Sequence, residues 1–178
     1  IHPAVWAFVI SAGAALVIAL AVLPFRPSVA KFSAANLRYF GVVAFVSYAL
    51  PNFLVFAAIP KMGSGYVAIL FTLSPLFTLA ISSLAGLKRP LRLEIAGLIV
   101  AFAGALLVAA SRGEVGRAVD VVWVLLGLAI PLSLACGNVY RTVDWPQGAD
   151  PFWLAIGSHG VAALMLGTLA LTTAGLEG

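Results

Sequence analysis

The sequence predicts an all-α, polytopic membrane helix bundle, and three observations carry that prediction. Hydrophobic residues make up 63% of the 178 and charged ones only 9%, against about 25% charged in soluble domains. Residues 62–87 contain no charged side chain over 26 positions, and residues 95–111 none over 17. Runs of that length span a bilayer core, and in lipid the backbone must satisfy its own hydrogen bonds as helix. The basic stretch Lys88-Arg89-Pro90-Leu91-Arg92 between the two runs therefore lies at a membrane surface.

Six spans follow from the spacing of uncharged runs and of flanking Pro, Gly and basic residues: 3–25, 39–60, 62–87, 93–111, 121–140 and 151–173. No soluble domain fits between them. The longest connection, 24–38, reads as a loop followed by a helix start, with Ser33 as N-cap. The first span lacks a basic leader and is too long for a signal peptide. A proline at mid-span removes one helical hydrogen bond and crowds the preceding turn, so Ser74-Pro75 predicts a kink near the bilayer centre.

Lys and Arg concentrate on the cytoplasmic side of membrane proteins. Lys61, Arg112 and Arg117 fall on one side; Arg26, Lys31, Arg38, Lys88, Arg89, Arg92 and Arg141 fall on the other. Loops 24–38, 88–92 and 141–150 are thus expected to be cytoplasmic, with the N-terminal end outside. The net charge of +4 is accounted for by these loops, which leaves no basic face for nucleic acid. Cys136 is the single cysteine, so an internal disulfide framework or a cysteine-rich metal site is excluded, and no cofactor is expected.

Placing Pro3 on Pro151, an offset of 148, also aligns Ala7 with Ala155, Ala14 with Ala162, Ala15 with Ala163 and Leu16 with Leu164, five identities in 14 positions. The shift moves the first span onto the sixth. A five-helix step reverses orientation across the membrane, the pattern of an inverted repeat.

The segment Gly65-Tyr66-Val67-Ala68-Ile69-Leu70-Phe71-Thr72-Leu73-Ser74-Pro75-Leu76-Phe77-Thr78, followed by a short basic hinge and Ala96-Gly97-Leu98-Ile99-Val100-Ala101-Phe102-Ala103-Gly104-Ala105-Leu106-Leu107, resembles the EamA-type members of the drug/metabolite transporter superfamily. The resemblance covers almost the whole chain and is most specific over 52–111. It implies ten helices in two inverted halves with both termini cytoplasmic. Residues 1–111 would be most of the first repeat, lacking its first helix, and 118–178 the start of the second. The chain then reads as a fragment covering helices two to seven, expected not to transport alone, in a bacterial inner (plasma) membrane. The family hinge usually carries a Glu-Arg pair where this chain has Lys88-Arg89. Glu94, six residues on, is the acidic side chain available to offset that change.

Candidate pathway residues are the few polar groups inside spans, which are expensive in lipid unless they face a cavity or a neighbouring helix. Tyr48 and Asn52 stand four apart around Pro51 and either line a pathway or bond helix to helix. Thr72, Ser74 and Thr78 flank Pro75; their hydroxyls either meet a solute or bond the preceding turn. Pro131 and Ser133 are the cavity candidates of the fifth span, whereas Asn138 and Tyr140 read as interfacial. His159 is the one titratable side chain deep in a span, a proton carrier or an interhelical hydrogen-bonding group. Gly97, Ala101 and Ala105 form a small-residue stripe suited to close helix approach.

The leading expectation is a secondary transporter, an exporter of small metabolites such as amino acids working by alternating access, with the bilayer and a small-molecule solute as partners. No phosphate-binding G-x-x-x-x-G-K-[ST] loop is present to drive it with ATP. The alternatives are a noncatalytic membrane scaffold and, less favoured, an intramembrane enzyme. Ser158 and His159 are adjacent and do not face each other on a helix, so they form no dyad.

Overall fold

The computed structural model describes residues 2–25, 34–111 and 119–174. Ser33 and the loop cations Arg26, Lys31, Arg112 and Arg117 lie outside the described residues. Eight α-helices are described: α1 (Pro3–Val22), α2 (Ala34–Val43), α3 (Leu50–Met62), α4 (Ser64–Phe71), α5 (Ser74–Leu84), α6 (Arg92–Ser111), α7 (Val121–Val143) and α8 (Pro151–Ala174). A π-helical segment, Ala44–Ala49, joins α2 to α3. Five stretches are long and apolar enough to cross a membrane: Pro3–Val22, Ala34–Met62, Ser64–Leu84, Val121–Val143 and Pro151–Thr173. The sixth expected span corresponds to α6, which is not among these five; its 20 residues reach about 30 Å at 1.5 Å per residue.

Local chemistry sets the helix ends. Asp120 Oδ1 accepts from Val122 N at 2.8 Å, and Asp150 Oδ1 accepts from Phe152 N at 2.8 Å, each satisfying an orphan amide of a first turn. Gly63, at φ 86°, turns the chain between α3 and α4, a conformation that costs glycine little. At the end of α5, Leu87 N donates to Ser82 O and Gly86 N to Ser83 O, with Gly86 at φ 70°. That is a Schellman stop.

The prolines act differently at each site. Pro75 does more than kink its span: α4 ends at Phe71, and α5 begins at Ser74. Across the break Thr72 N and Leu73 N donate three residues back, to Ile69 O and Leu70 O, both at 3.0 Å. The tightened turn removes the clash of the proline ring with the carbonyl four residues earlier. Before Pro51 the helix widens instead, and Leu50 N donates five residues back to Phe45 O. Pro131 sits inside α7 without interrupting it.

The chain forms two compact units. In the unit of residues 1–53 and 140–178, α1 packs along α8, and α2 with the π segment packs on α8. Its apolar centre joins Tyr39, Phe40 and Val43 to Leu154. Gly157 makes room there: a Cβ at that position would lie 2.6 Å from Phe40 Cε1 and Cζ. In the unit of residues 54–139, Ala58, Met62, Val67, Leu70 and Ile130 are the core. Outward positions are apolar, as with Leu20, Val100, Leu107 and Leu171, all exposed, while Ser11, Ser47, Ser74, Ser133 and Ser158 are buried. This distribution suits lipid as the solvent. Of the stripe Gly97, Ala101 and Ala105, the Gly97 end faces open space, since a Cβ there would meet nothing within 4 Å.

Candidate functional site

In the 54–139 unit, a cleft of about 500 Å³ runs between α5, the 85–91 hinge, α6 and α7. Ser74, Pro75, Thr78 and Ser82 line it from α5, Gly97 and Leu98 from α6, and Asn138 from α7. Lys88 and Glu94 also line it, pairing with each other as an ion pair. Its volume falls within the usual range of small-molecule pockets, about 300–1,000 Å³.

The break in the helix positions the polar groups. Thr78 Oγ1 donates to Ser74 O at 2.8 Å and accepts from Asn138 Nδ2 at 3.3 Å. Asn138, read from the sequence as interfacial, reaches α5 and the cleft. Its spacing signal was weak because the acceptor lies 60 residues away on another helix. Ser74 is buried beside the break. Thr72 Oγ1 donates back to Ile69 O at 2.6 Å and is not on the cleft wall.

Lys88 and Glu94 meet across the hinge. Glu94 Oε1 accepts from Lys88 Nζ, and Glu94 Oε2 accepts from Leu91 N at 3.1 Å. Glu94 is the third residue of α6, so its reach back to the amide before the helix is half of a capping box. One carboxylate thus both caps α6 and holds the hinge lysine at the cleft.

Pro131 and Ser133 are buried in α7 and do not line this cleft. Tyr48, Asn52 and His159 belong to the other unit. There the Tyr48 ring lies on the His159 imidazole, centroids 3.9 Å apart and planes 22° from parallel. Asn52 is half-buried one turn further on. A second groove in that unit, about 520 Å³, is lined by Phe45, Phe53, Met165, Leu169 and neighbours. Its Thr168 and Thr172 hydroxyls donate to Met165 O and Leu169 O of their own helix, so it is apolar in character.

One surface cluster also takes shape in this unit. Arg38 Nη2 donates to both carboxylate oxygens of Asp144, at 2.6 and 2.8 Å. The Tyr140 hydroxyl donates to Asp144 Oδ2, and Tyr39 packs against Tyr140 and edge-on to Trp145. The Tyr140 hydrogen bond, with the Arg38 guanidinium beside it, holds the Asp144 carboxyl below the usual carboxylate range. Among the described residues no group of three or more His, Cys, Asp or Glu is placed to hold a metal.

Apolar helices with their polar groups turned inward define an integral membrane protein of the polytopic α-helical class. Residues 1–110, more than half of the chain, match the EamA-like transporter family, and the chain belongs to that family. It is accordingly a membrane transporter of the drug/metabolite type. No curated protein and no solved structure matches the chain in the corresponding comparisons.

Proposed function

We propose that the chain is the helix two-to-seven portion of a secondary exporter of small metabolites such as amino acids, working by alternating access between two inverted five-helix halves. Residues 1–111 belong to the first half and 118–178 to the second. The observation that carries the reading is the cleft at the Ser74–Pro75 break, with Ser74, Thr78, Ser82 and Asn138 on its wall and the Lys88–Glu94 pair beside them. Hydroxyls and an amide supply neutral hydrogen bonds. Lys88 and Glu94 supply one charge of each sign, the complement of a zwitterion. A break in a membrane helix is tolerated where the freed backbone lines a cavity or is buried in protein, which supports a pathway there.

The excess of basic residues in loops 24–38, 88–92 and 141–150 supports a cytoplasmic position for them and an outside start for α1, in a bacterial inner membrane. Flux of labelled amino acids and nucleosides in vesicles carrying the full-length protein tests this function, with Asn52→Ala and Ser74→Ala at matched abundance. Efflux of one solute class, lost in Ser74→Ala with folding intact, is the expected result. The absence of flux for every solute would instead favour a noncatalytic scaffold.

A further inference from the structure

The polar wall of the cleft in the 54–139 unit is graded along α5. Ser74, Thr78 and Ser82 stand four residues apart on one face of that helix, and cover about 12 Å of its length at 1.5 Å per residue. Ser74 is buried at the break. Past the end of α5 the hinge carries Lys88 to the same cleft, where it meets Glu94 of α6. Those two side chains are 52 and 32% exposed. The neutral groups thus reach deepest, and the two charges stand at the mouth.

The partners of the pair are held unequally. Glu94 is fixed by its second oxygen, which accepts from Leu91 N at 3.1 Å while Glu94 sits in the first turn of α6. Lys88 reaches Glu94 Oε1 on a flexible four-carbon stem. Lys88 is therefore the arm that can swing, and its departure frees Oε1 without disturbing the cap. A solute bearing one carboxylate and one ammonium can then enter between them, its carboxylate on Lys88 Nζ and its ammonium on Glu94 Oε1. One ion pair is exchanged for two, and no charge is left without a partner. A solute of single charge satisfies one side chain and strands the other, a penalty that separates the two kinds of solute.

We propose that Lys88 and Glu94 determine the specificity of this cleft: the pair parts to seat a zwitterionic amino acid and rejects the same molecule when either of its charges is masked. The inference rests on the reading of the cleft as the solute path. It adds that charge is selected by an exchangeable pair at the mouth, not by the hydroxyls and amide below.

Direct binding of labelled L-leucine, leucine methyl ester and N-acetyl-leucine to the full-length protein tests it. The three share a side chain, suited to Leu79 and Leu98 on the cleft wall, and differ in net charge. The wild type is expected to bind leucine at least about tenfold more tightly than either derivative, the least that one charge-assisted hydrogen bond supplies. Glu94→Gln keeps a capping side chain at the third helical position and removes the charge, so it should reverse the order in favour of N-acetyl-leucine. Lys88→Met should reverse it in favour of the ester. Ser74→Ala leaves the pair intact and should weaken leucine binding without changing the order. An order unchanged in both charge variants, with binding weakened in Ser74→Ala, would overturn the role of the pair and leave the cleft standing. Binding unchanged in all three variants would overturn both, and no binding of leucine by the wild type would overturn the selection of a zwitterion. If Lys88→Met fails to fold, Glu94→Gln decides.

Discussion

The side-chain amide of Asn138 donates to the Thr78 hydroxyl at 3.3 Å, and Thr78 passes the bond on to Ser74 O at 2.8 Å. The relay ties α7 to the first turn beyond the proline break. Thr78→Val keeps the shape and removes both bonds. A double-mutant cycle with Asn138→Ala, read by thermal unfolding, should give a coupling of about 0.6 kcal/mol, the usual size for polar pairs in membrane helices.

Pro75→Ala restores an amide to the break and lets α4 and α5 join. The expected outcome is a higher unfolding midpoint, because the missing donor is restored and the tightened turn is free to relax to regular helix. Solute flux should fall, since a continuous helix would turn Ser74 and Thr78 away from Asn138. Lowered stability together with unchanged flux would show that the break serves packing alone.

The glycines separate by what surrounds them. Gly157→Ala drives a Cβ to 2.6 Å from the ring of Phe40, which is itself 5% exposed, so overpacking should cost about 1–3 kcal/mol. Gly97→Ala meets open space and should gain up to about 1 kcal/mol in helix preference. Unfolding midpoints of the two variants check the contrast.

Asp144 makes the surface cluster sensitive to acid. Its carboxyl is held below its ordinary value by the Tyr140 hydroxyl and by Arg38, so the folded form binds its proton less readily than the unfolded chain. Its contribution to stability is therefore present above the ordinary carboxylate range and lost as pH falls through the lowered folded value. Asp144→Asn should flatten that part of the stability profile in an acid titration and leave the neutral-pH end nearly as it was, since exposed ion pairs contribute little there.

Long uncharged runs made the helices legible in the sequence, because lipid leaves the backbone few alternatives. Helix ends were less legible. The second span was expected from residue 39 by its apolar stretch, while the N-cap reading of Ser33 put the helix start earlier; the described helix already includes Ala34, with Asn36 and Arg38 continuing it beyond the apolar stretch. The breakers were visible as prolines, but Pro51 widens a turn, Pro75 splits a helix and Pro131 does neither. Neighbouring packing, which no local pattern records, decides among them. Ser74, Pro75 and Thr78 were singled out by their spacing around the break, and they share one cleft. Asn138 was set aside as interfacial from its place near the cytoplasmic end of its span, and its partner, 60 residues away, left no local signal. Lys88 and Glu94 did leave a signal, a glutamate at the third helical position after a hinge, where capping chemistry places it.

The central claim is that solute passes along the cleft beside the Ser74–Pro75 break. Counterflow of labelled solute in vesicles of the full-length protein tests it most directly, comparing Asn138→Ala and Thr78→Val with the outward-facing control Leu107→Ala at matched abundance. The account predicts exchange reduced at least about tenfold in the two cleft variants, equivalent to about 1.4 kcal/mol, and unaltered in the control. Equal exchange in all three, each folded as the parent, would contradict it.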